Sequence, residues 1–157
     1  YADHTFGVCQ KMLEDKNAIM GLGDGGAHVG FILDAGYPTW LISYWSVKKK
    51  VFSMEETIRR LTSDTANAAG LSDRGVLKTG LKADINIIDW KNVGSSDPFM
   101  TQDLPAGGKR LMQTTQGYVA TIVSGKITYR NGVSTKERPG GLVRSVNDSQ
   151  KIFAYTS

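Results

Sequence analysis

Hydrophobic and polar positions divide this chain into two unlike halves. Residues 8–16 read as the end of a helix, because Val8, Met12 and Leu13 recur at helical spacing. Ala18-Ile19-Met20-Gly21-Leu22 is a short apolar run, the pattern of a strand buried on both faces. It leads into Gly23-Asp24-Gly25-Gly26-Ala27-His28, a glycine-rich, turn-forming loop. Residues 37–47 are aromatic and apolar, and Pro38 after Tyr37 predicts a loop that enters a helix. Ser53-Met54-Glu55-Glu56 has the form of a capping box, in which Ser53 accepts from the Glu56 N–H and Glu56 reaches back. Met54, Ile58 and Leu61 then fall on one helical face. A second short helix is predicted through Thr65 to Ala69, with Gly70 as its stop.

After Gly70 the pattern changes. Ala83–Asp89 partly alternates and predicts a strand. Tyr118–Val123 and Lys126–Tyr129 are strand-like, and Ser124-Gly125 between them is a two-residue hairpin turn. Asn131-Gly132 is another turn signal. Residues 92–110, rich in Gly, Pro, Ser and Asp, read as a long connection, and the tail after Pro139-Gly140-Gly141 has little periodicity. There is no internal repeat and no low-complexity segment.

Composition adds limits. With 157 residues, 40% hydrophobic and 22% charged, the chain has the size and make-up of one average globular domain. A single cysteine, Cys9, excludes an internal disulfide and fits a reducing, cytoplasmic setting. No apolar run approaches the roughly 18 to 20 residues that span a bilayer, so no membrane partner is expected. The net charge is +4, with basic residues scattered apart from Lys48-Lys49-Lys50. A nucleic-acid binder calls for a basic stripe interleaved with aromatics, which is not the pattern here. The lysine triplet reads as a solvated loop. Tyr1 opens in a stretch without a turn or cap signal, and the sequence reads as a piece of a longer chain.

The candidate chemistry lies at the end of the 18–22 run. A strand followed by a glycine loop bearing Asp and His is an arrangement found at the mouth of a parallel sheet or barrel. On residues alone, Asp24 is either a turn aspartate capping its own loop or a carboxylate held for acid–base work. His28 either contacts substrate or bonds a nearby carbonyl. Gly25 and Gly26 permit a sharp turn or a close backbone approach. Arg110 and Arg74 are candidates to pair with a substrate carboxylate, Arg110 the better of the two. Trp40, Tyr44 and Trp45 read as helix packing before they read as an acyl pocket. His4 has no chemical context of its own.

Several segments, in order, resemble the amidohydrolase superfamily. Gly80-Leu81-Lys82-Ala83-Asp84-Ile85-Asn86-Ile87-Ile88-Asp89 is similar to its late "G-x-x-A-D-hydrophobic…D" strand, preceded at the usual interval by Asp73-Arg74-Gly75-Val76-Leu77. Thr62–Leu71 resembles the helix that leads into it. Gly21-Leu22-Gly23-Asp24-Gly25-Gly26-Ala27-His28-Val29-Gly30 looks like the "G-D-G-G-A-H" segment of the N-acyl-D-amino-acid deacylase (D-aminoacylase) branch. Asp103–Leu111 with Gly117-Tyr118 resembles that branch's late insertion, and Gly125…Asn131-Gly132…Thr135…Pro139-Gly140 its final hairpin and exit. The resemblance covers about residues 8 to 144.

The resemblance implies an α/β-plus-β fold. Residues 1–70 would be the C-terminal part of a metal-dependent hydrolase (β/α)8 barrel, its last strand and helices. Residues 71–144 would be the C-terminal share of a small β-sandwich, and 145–157 a tail. It implies hydrolysis of the N-acyl amide bond of N-acyl-D-amino acids or related compounds, with zinc as cofactor. The metal ligands would lie earlier in the parent, as a His-x-His pair and later His or Cys residues, and none is carried onto this chain. A bound zinc lowers the pKa of its water and polarises the carbonyl. The carboxylate beside it takes the water's proton and passes it to the leaving amine. The resemblance assigns that role to Asp24, and His28, Gly25, Gly26 and Arg110 to the substrate side. Asp34 matches a segment near the site mouth, and the place of Asp84 and Asp89 in a sandwich strand makes them structural.

A chain without the metal ligands should be inactive alone. Its single barrel strand has two unpaired edges, to be covered by the remainder of the barrel or by a second copy in a homo-oligomer. The nearest alternative is a cyclic amidase of the dihydropyrimidinase or hydantoinase kind, against which the Asp103–Leu111 stretch argues. A non-catalytic β-rich module would account for the missing ligands but not for the Gly-Asp-Gly-Gly-Ala-His loop.

Overall fold

A computed structural model describes residues 5–21, 23, 25 and 28–144. His4, Leu22, Asp24, Gly26 and Ala27 lie outside the described residues. The architecture is helical up to Gly70 and mainly antiparallel sheet after it.

The helical half begins with α1, Gly7–Glu14. The helix expected from residues 8–16 is there, but its inward stripe is not the expected one. Cys9 and Leu13, four residues apart, pack on the core, whereas Val8 and Met12 are exposed. Tyr37–Trp40 forms α2, with Pro38 in its first turn, where a missing N–H costs nothing. It runs directly into a π-helix, Leu41–Lys48, whose wider winding continues to its end, where the Lys49 N–H reaches the Tyr44 carbonyl at 2.8 Å.

The winding turns Leu41 and Trp45 inward, and with Met20 and Phe52 they form the core of this half. Phe6, Trp40 and Tyr44 surround Trp45 edge-on, at centroid distances of 6.2, 5.6 and 5.1 Å. Trp40 and Tyr44 stack face to face. Lys48 and Lys49, two of the lysine triplet, stand over the Tyr44 ring.

α3 spans Met54–Leu61. Its N-terminus follows the capping expectation in one of two bonds. Ser53 accepts from the Glu56 N–H at 3.1 Å, but the Glu56 carboxylate turns away to Arg60, at 3.0 Å from Nε. Ser53→Ala is therefore expected to lower stability by about 1 kcal/mol in urea unfolding, with no change in the slope.

Of the expected face of α3, Leu61 packs on the core and Ile58 is half-buried, but the fully buried residues are others. Met54 is exposed, and Thr57 and Arg60 are buried. These polar residues tolerate burial because each is satisfied. Thr57 donates to the Ser53 carbonyl at 2.7 Å. Arg60 pairs with Glu56, donates to the Leu13 carbonyl at 2.7 Å and lies over the Phe52 ring. α4, Ser63–Ala68, ends at Gly70 with φ +69° and a Leu71 N–H to Ala66 carbonyl bond of 2.8 Å, the glycine stop expected from sequence.

Residues 18–21, expected as a barrel strand, belong to no ladder among the described residues. Met20 still enters the core, while Ile19 is exposed. A strand buried on both faces needs hydrogen-bonding neighbours on both sides, and among the described residues the ladders join only segments after residue 84.

In the second half, β1 (Ile85–Ile88), β6 (Tyr118–Val123), β7 (Lys126–Arg130) and β8 (Val133–Ser134) form one antiparallel four-stranded sheet in that order. Ser124-Gly125 and Asn131-Gly132 make its two hairpin turns, each with both residues at positive φ. Asp84 fixes the entry to β1. Its carboxylate accepts from the Ser124 N–H at 2.8 Å and from Arg74 at 3.1 Å, the structural role expected for it. Asp89 accepts from Asn92 at 2.7 Å, which holds its carboxyl below the usual range.

Residues 92–110 are not the plain connection expected. They contain β2 (Gly94–Ser95), which pairs with β5 (Thr115–Gln116), and most of a second hairpin. In that hairpin β3 (Phe99–Leu104) pairs with β4 (Gly108–Met112) around a tight turn at Pro105–Gly107.

Candidate active site

The glycine-rich loop leans on a shelf made by residues 34–37. A side chain at Gly23 would come within 2.9 Å of the Asp34 carbonyl and 3.0 Å of the Tyr37 ring, and one at Gly25 within 2.8 Å of the Ala35 methyl. Both glycines are therefore required by close packing, and they flank position 24 on either side. Asp34 contributes its backbone to this shelf, and its carbonyl also accepts from the Tyr37 N–H at 3.1 Å.

His28 adopts φ +52° and opens a tight turn, its carbonyl accepting from the Phe31 and Ile32 N–H groups at 2.9 and 3.0 Å. Histidine is among the non-glycine residues that adopt the left-handed region more readily. Its ring stacks on Phe31 at a centroid distance of 5.1 Å, and Phe31 is 71% exposed. The imidazole thus stands at the surface beside an uncovered aromatic ring.

The shelf is braced from the strand-rich half. The Leu111 N–H on β4 donates to the Val29 carbonyl at 2.7 Å. A side chain at Gly36 would meet the Gln113 Oε1 at 2.9 Å. Thr39 on α2 and Tyr118 on β6 share a hydroxyl–hydroxyl bond of 2.8 Å. Val29, Gly36 and Thr39 therefore join the loop region to three points of the sheet half. Sequence periodicity gave no sign of this, because each contact spans more than seventy residues of chain.

Arg110 lies in the same hairpin. It is not a free guanidinium: its Nε and Nη2 each donate to the Asp103 carboxylate at 2.7 Å in a two-pronged pair. The bond from Arg110 holds the Asp103 carboxyl below its ordinary value of 3.8, and Asp103 raises Arg110 in turn. A depressed folded-state pKa means that the pair favours the fold above the unfolded carboxyl's pKa. That contribution disappears as pH falls through the folded value. Asp103→Asn is expected to lower the urea midpoint at neutral pH and to leave it equal to the natural protein's in strong acid. Arg74 is likewise engaged, by Asp73 and Asp84.

A wide cleft of about 560 Å³ opens elsewhere, between Asp89, Asn92, Gly117, Tyr118 and Asn131. In its lining, Asp89 is held by Asn92 and by its own N–H to the Gly117 carbonyl, and the Tyr118 hydroxyl by Thr39. The glycine loop, with its required backbone approaches and exposed imidazole, is the better candidate for chemistry.

A sequence model of the amidohydrolase family matches residues 4–129 of this chain. The chain belongs to the amidohydrolase family. Among curated proteins, this amidohydrolase is similar to a dihydroorotase of Lactobacillus acidophilus, at 34% identity over 54% of the chain and 20% of the relative. It is similar to an N-acyl-D-aspartate deacylase of Alcaligenes xylosoxydans xylosoxydans, at 29% identity over 61% of the chain and 18% of the relative. A dihydroorotase of Bacillus cereus is 39% identical over 54% of the chain and 20% of the relative. The chain thus spans about a fifth of the length of these relatives. No solved structure matches it.

Amidohydrolases are typically metal-dependent. Among the described residues, no three His, Cys, Asp or Glu side chains come together as ligands, so these residues do not make a metal centre by themselves. No helix among them is long and apolar enough to cross a membrane.

Proposed function

We infer that this chain is the C-terminal share of a metal-dependent amidohydrolase that cleaves the N-acyl amide bond of N-acyl-D-amino acids or related compounds. The observation that carries the reading is the glycine-rich loop. Gly23 and Gly25, where close packing on Asp34, Ala35 and Tyr37 leaves no room for a side chain, flank position 24 in the sequence, and the residue at that position is a carboxylate.

Amide hydrolysis needs a base to take a proton from the attacking water and an acid to return one to the departing nitrogen. One carboxylate performs both in turn, because protonation in the first step readies it for the second. Asp24 is assigned that role. His28, Gly25 and the adjoining Gly26 are assigned to the substrate side, where backbone N–H groups and the imidazole can meet the acyl and carboxylate groups. Arg110, already paired with Asp103, is assigned to the hairpin that borders the site.

The family's zinc, when bound, polarises the amide carbonyl and the water. Its ligands are placed in the preceding part of the parent protein. Residues 1–70 are assigned to the barrel, 71–144 to the β-domain and 145–157 to the tail.

Cyclic amide hydrolysis is the second reading, favoured by the identity to dihydroorotases. Both readings use one carboxylate for the same two proton transfers. The N-acyl reading is preferred for the Gly-Asp-Gly-Gly-Ala-His loop and the 99–112 hairpin, and the deacylase also matches more of the chain, 61% against 54%.

The test is amine release from N-acyl-D-amino acids by the full-length protein before and after chelation. Activity that is lost with the chelator and restored by zinc supports the reading. Hydrolysis that persists in full without metal contradicts it.

A further inference from the structure

We propose that the β3–β4 hairpin positions the candidate site, holding the 28–36 rim at two points and so deciding which acyl groups fit beside the glycine loop. This rests on the reading of that loop as a site of amide hydrolysis.

The first point is the Leu111 N–H to Val29 carbonyl bond. Leu111 stands opposite Met100 in the hairpin, yet its N–H is directed out of the ladder and onto the rim. The second point is Gln113, just past β4. Its amide nitrogen donates to the Ser96 carbonyl at 2.7 Å, which fixes the side chain, and its Oε1 fills the space that a side chain at Gly36 would need.

From Gly36 the contacts continue to the loop without a gap. Ala35 packs on Gly25, and the Asp34 carbonyl and Tyr37 ring pack on Gly23. Displacing Gln113 therefore disturbs the shelf on which Gly23 and Gly25 pack.

The hairpin is built to be stiff enough for this work. Arg110 and Asp103 lock its strands with two parallel bonds, next to the Leu111 contact. The turn at Pro105–Gly107 is tight, with Ala106 and Gly107 both at positive φ. Misplacing a reacting group by about 1 Å can cost on the order of a hundredfold in rate, so a brace several residues away has leverage on the chemistry. The site face of the rim carries the His28–Phe31 stack, and Phe31 is uncovered. Movement of the rim changes the space beside that ring, where a substrate's acyl chain would lie.

The experiment uses the full-length protein and the variants Gln113→Ala and Leu111→Pro. Hydrogen exchange is followed at the Phe31, Ile32 and Tyr37 amides. The ratio of kcat/KM for a long-chain over a short-chain N-acyl substrate is measured alongside; loss of folded protein cancels in that ratio. Gln113→Ala should raise exchange at these amides about tenfold relative to the β6–β7 amides and change the ratio at least threefold. Leu111→Pro should do the same more strongly. If Leu111→Pro fails to fold, Gln113→Ala decides alone.

Unchanged exchange in the rim, or an unchanged ratio, overturns the proposal. If the unsubstituted protein hydrolyses no N-acyl substrate while rim exchange still responds, the N-acyl reading has failed and the hairpin is only a structural brace, which also overturns a role in selecting acyl groups.

Discussion

Asp24→Asn is expected to reduce kcat for amide hydrolysis by the full-length protein by about 10² to 10⁴, the range general acid–base catalysis supplies. The substitution keeps the shape of the side chain and removes its ability to take a proton. Gly23 and Gly25 set the path of the backbone on either side, and that packing does not depend on the charge at position 24. Thermal unfolding should therefore change little while turnover collapses. Asp97→Asn, at an exposed loop position, serves as the control and should leave both unchanged. A loss of less than tenfold at Asp24 would remove the carboxylate from the mechanism and return it to the role of a turn residue.

The second large effect is on stability. Trp45→Ala is expected to cost about 3–5 kcal/mol, read from the urea midpoint. Trp45 is 1% exposed and sits at the centre of the Met20, Leu41 and Phe52 core, with Phe6, Trp40 and Tyr44 packed edge-on around it. Removing it opens a cavity that these rings are too rigid to fill. The magnitude rivals the whole stability of a typical domain, about 5–15 kcal/mol, so much of the variant should be unfolded.

Trp45→Phe should be far milder, for a specific reason. Among the described residues, the indole Nε1 is buried without a hydrogen-bond partner, a cost that phenylalanine removes while keeping most of the ring. Equal destabilisation by both variants would contradict this account of the site.

These two residues also mark how far the sequence could be read. Signals carried by a few neighbouring residues came through. Ser53 caps α3, Gly70 ends α4, and Ser124-Gly125 and Asn131-Gly132 turn the sheet, because each depends on backbone angles and bonds within one turn. Faces that depend on distant partners did not. Arg60 is buried because Leu13 and Phe52 receive it, and no helical pattern announces that.

The π-winding of Leu41–Lys48 was hidden for a similar reason. Apolar spacing of 3.6 and of a wider helix differ too little over eight residues to be told apart. The β3–β4 hairpin was concealed by its own composition. Turn-forming residues surround Phe99–Leu104, and its pairing is interrupted by a bulge between Thr101 and Leu104.

At the candidate site, the residue proposed for chemistry comes from the sequence, and the packing around its loop does not. The Asp in its glycine frame stands out in a line of sequence. The shelf at 34–37, the turn at His28 and the brace from Leu111 and Gln113 appear only once the two halves are folded together. Arg110 shows the converse. A lone arginine in a polar stretch looks available to a ligand, and Asp103, seven residues before it, already occupies it.

The central claim is the identity of the bond that is cut, and one comparison addresses it directly. The full-length protein, loaded with zinc, is given N-acyl-D-amino acids and dihydroorotate in parallel, and kcat/KM is measured for each. The account predicts hydrolysis of the acyclic N-acyl substrates with a kcat/KM at least a hundredfold above that for ring opening. Preferred opening of the cyclic amide would contradict it.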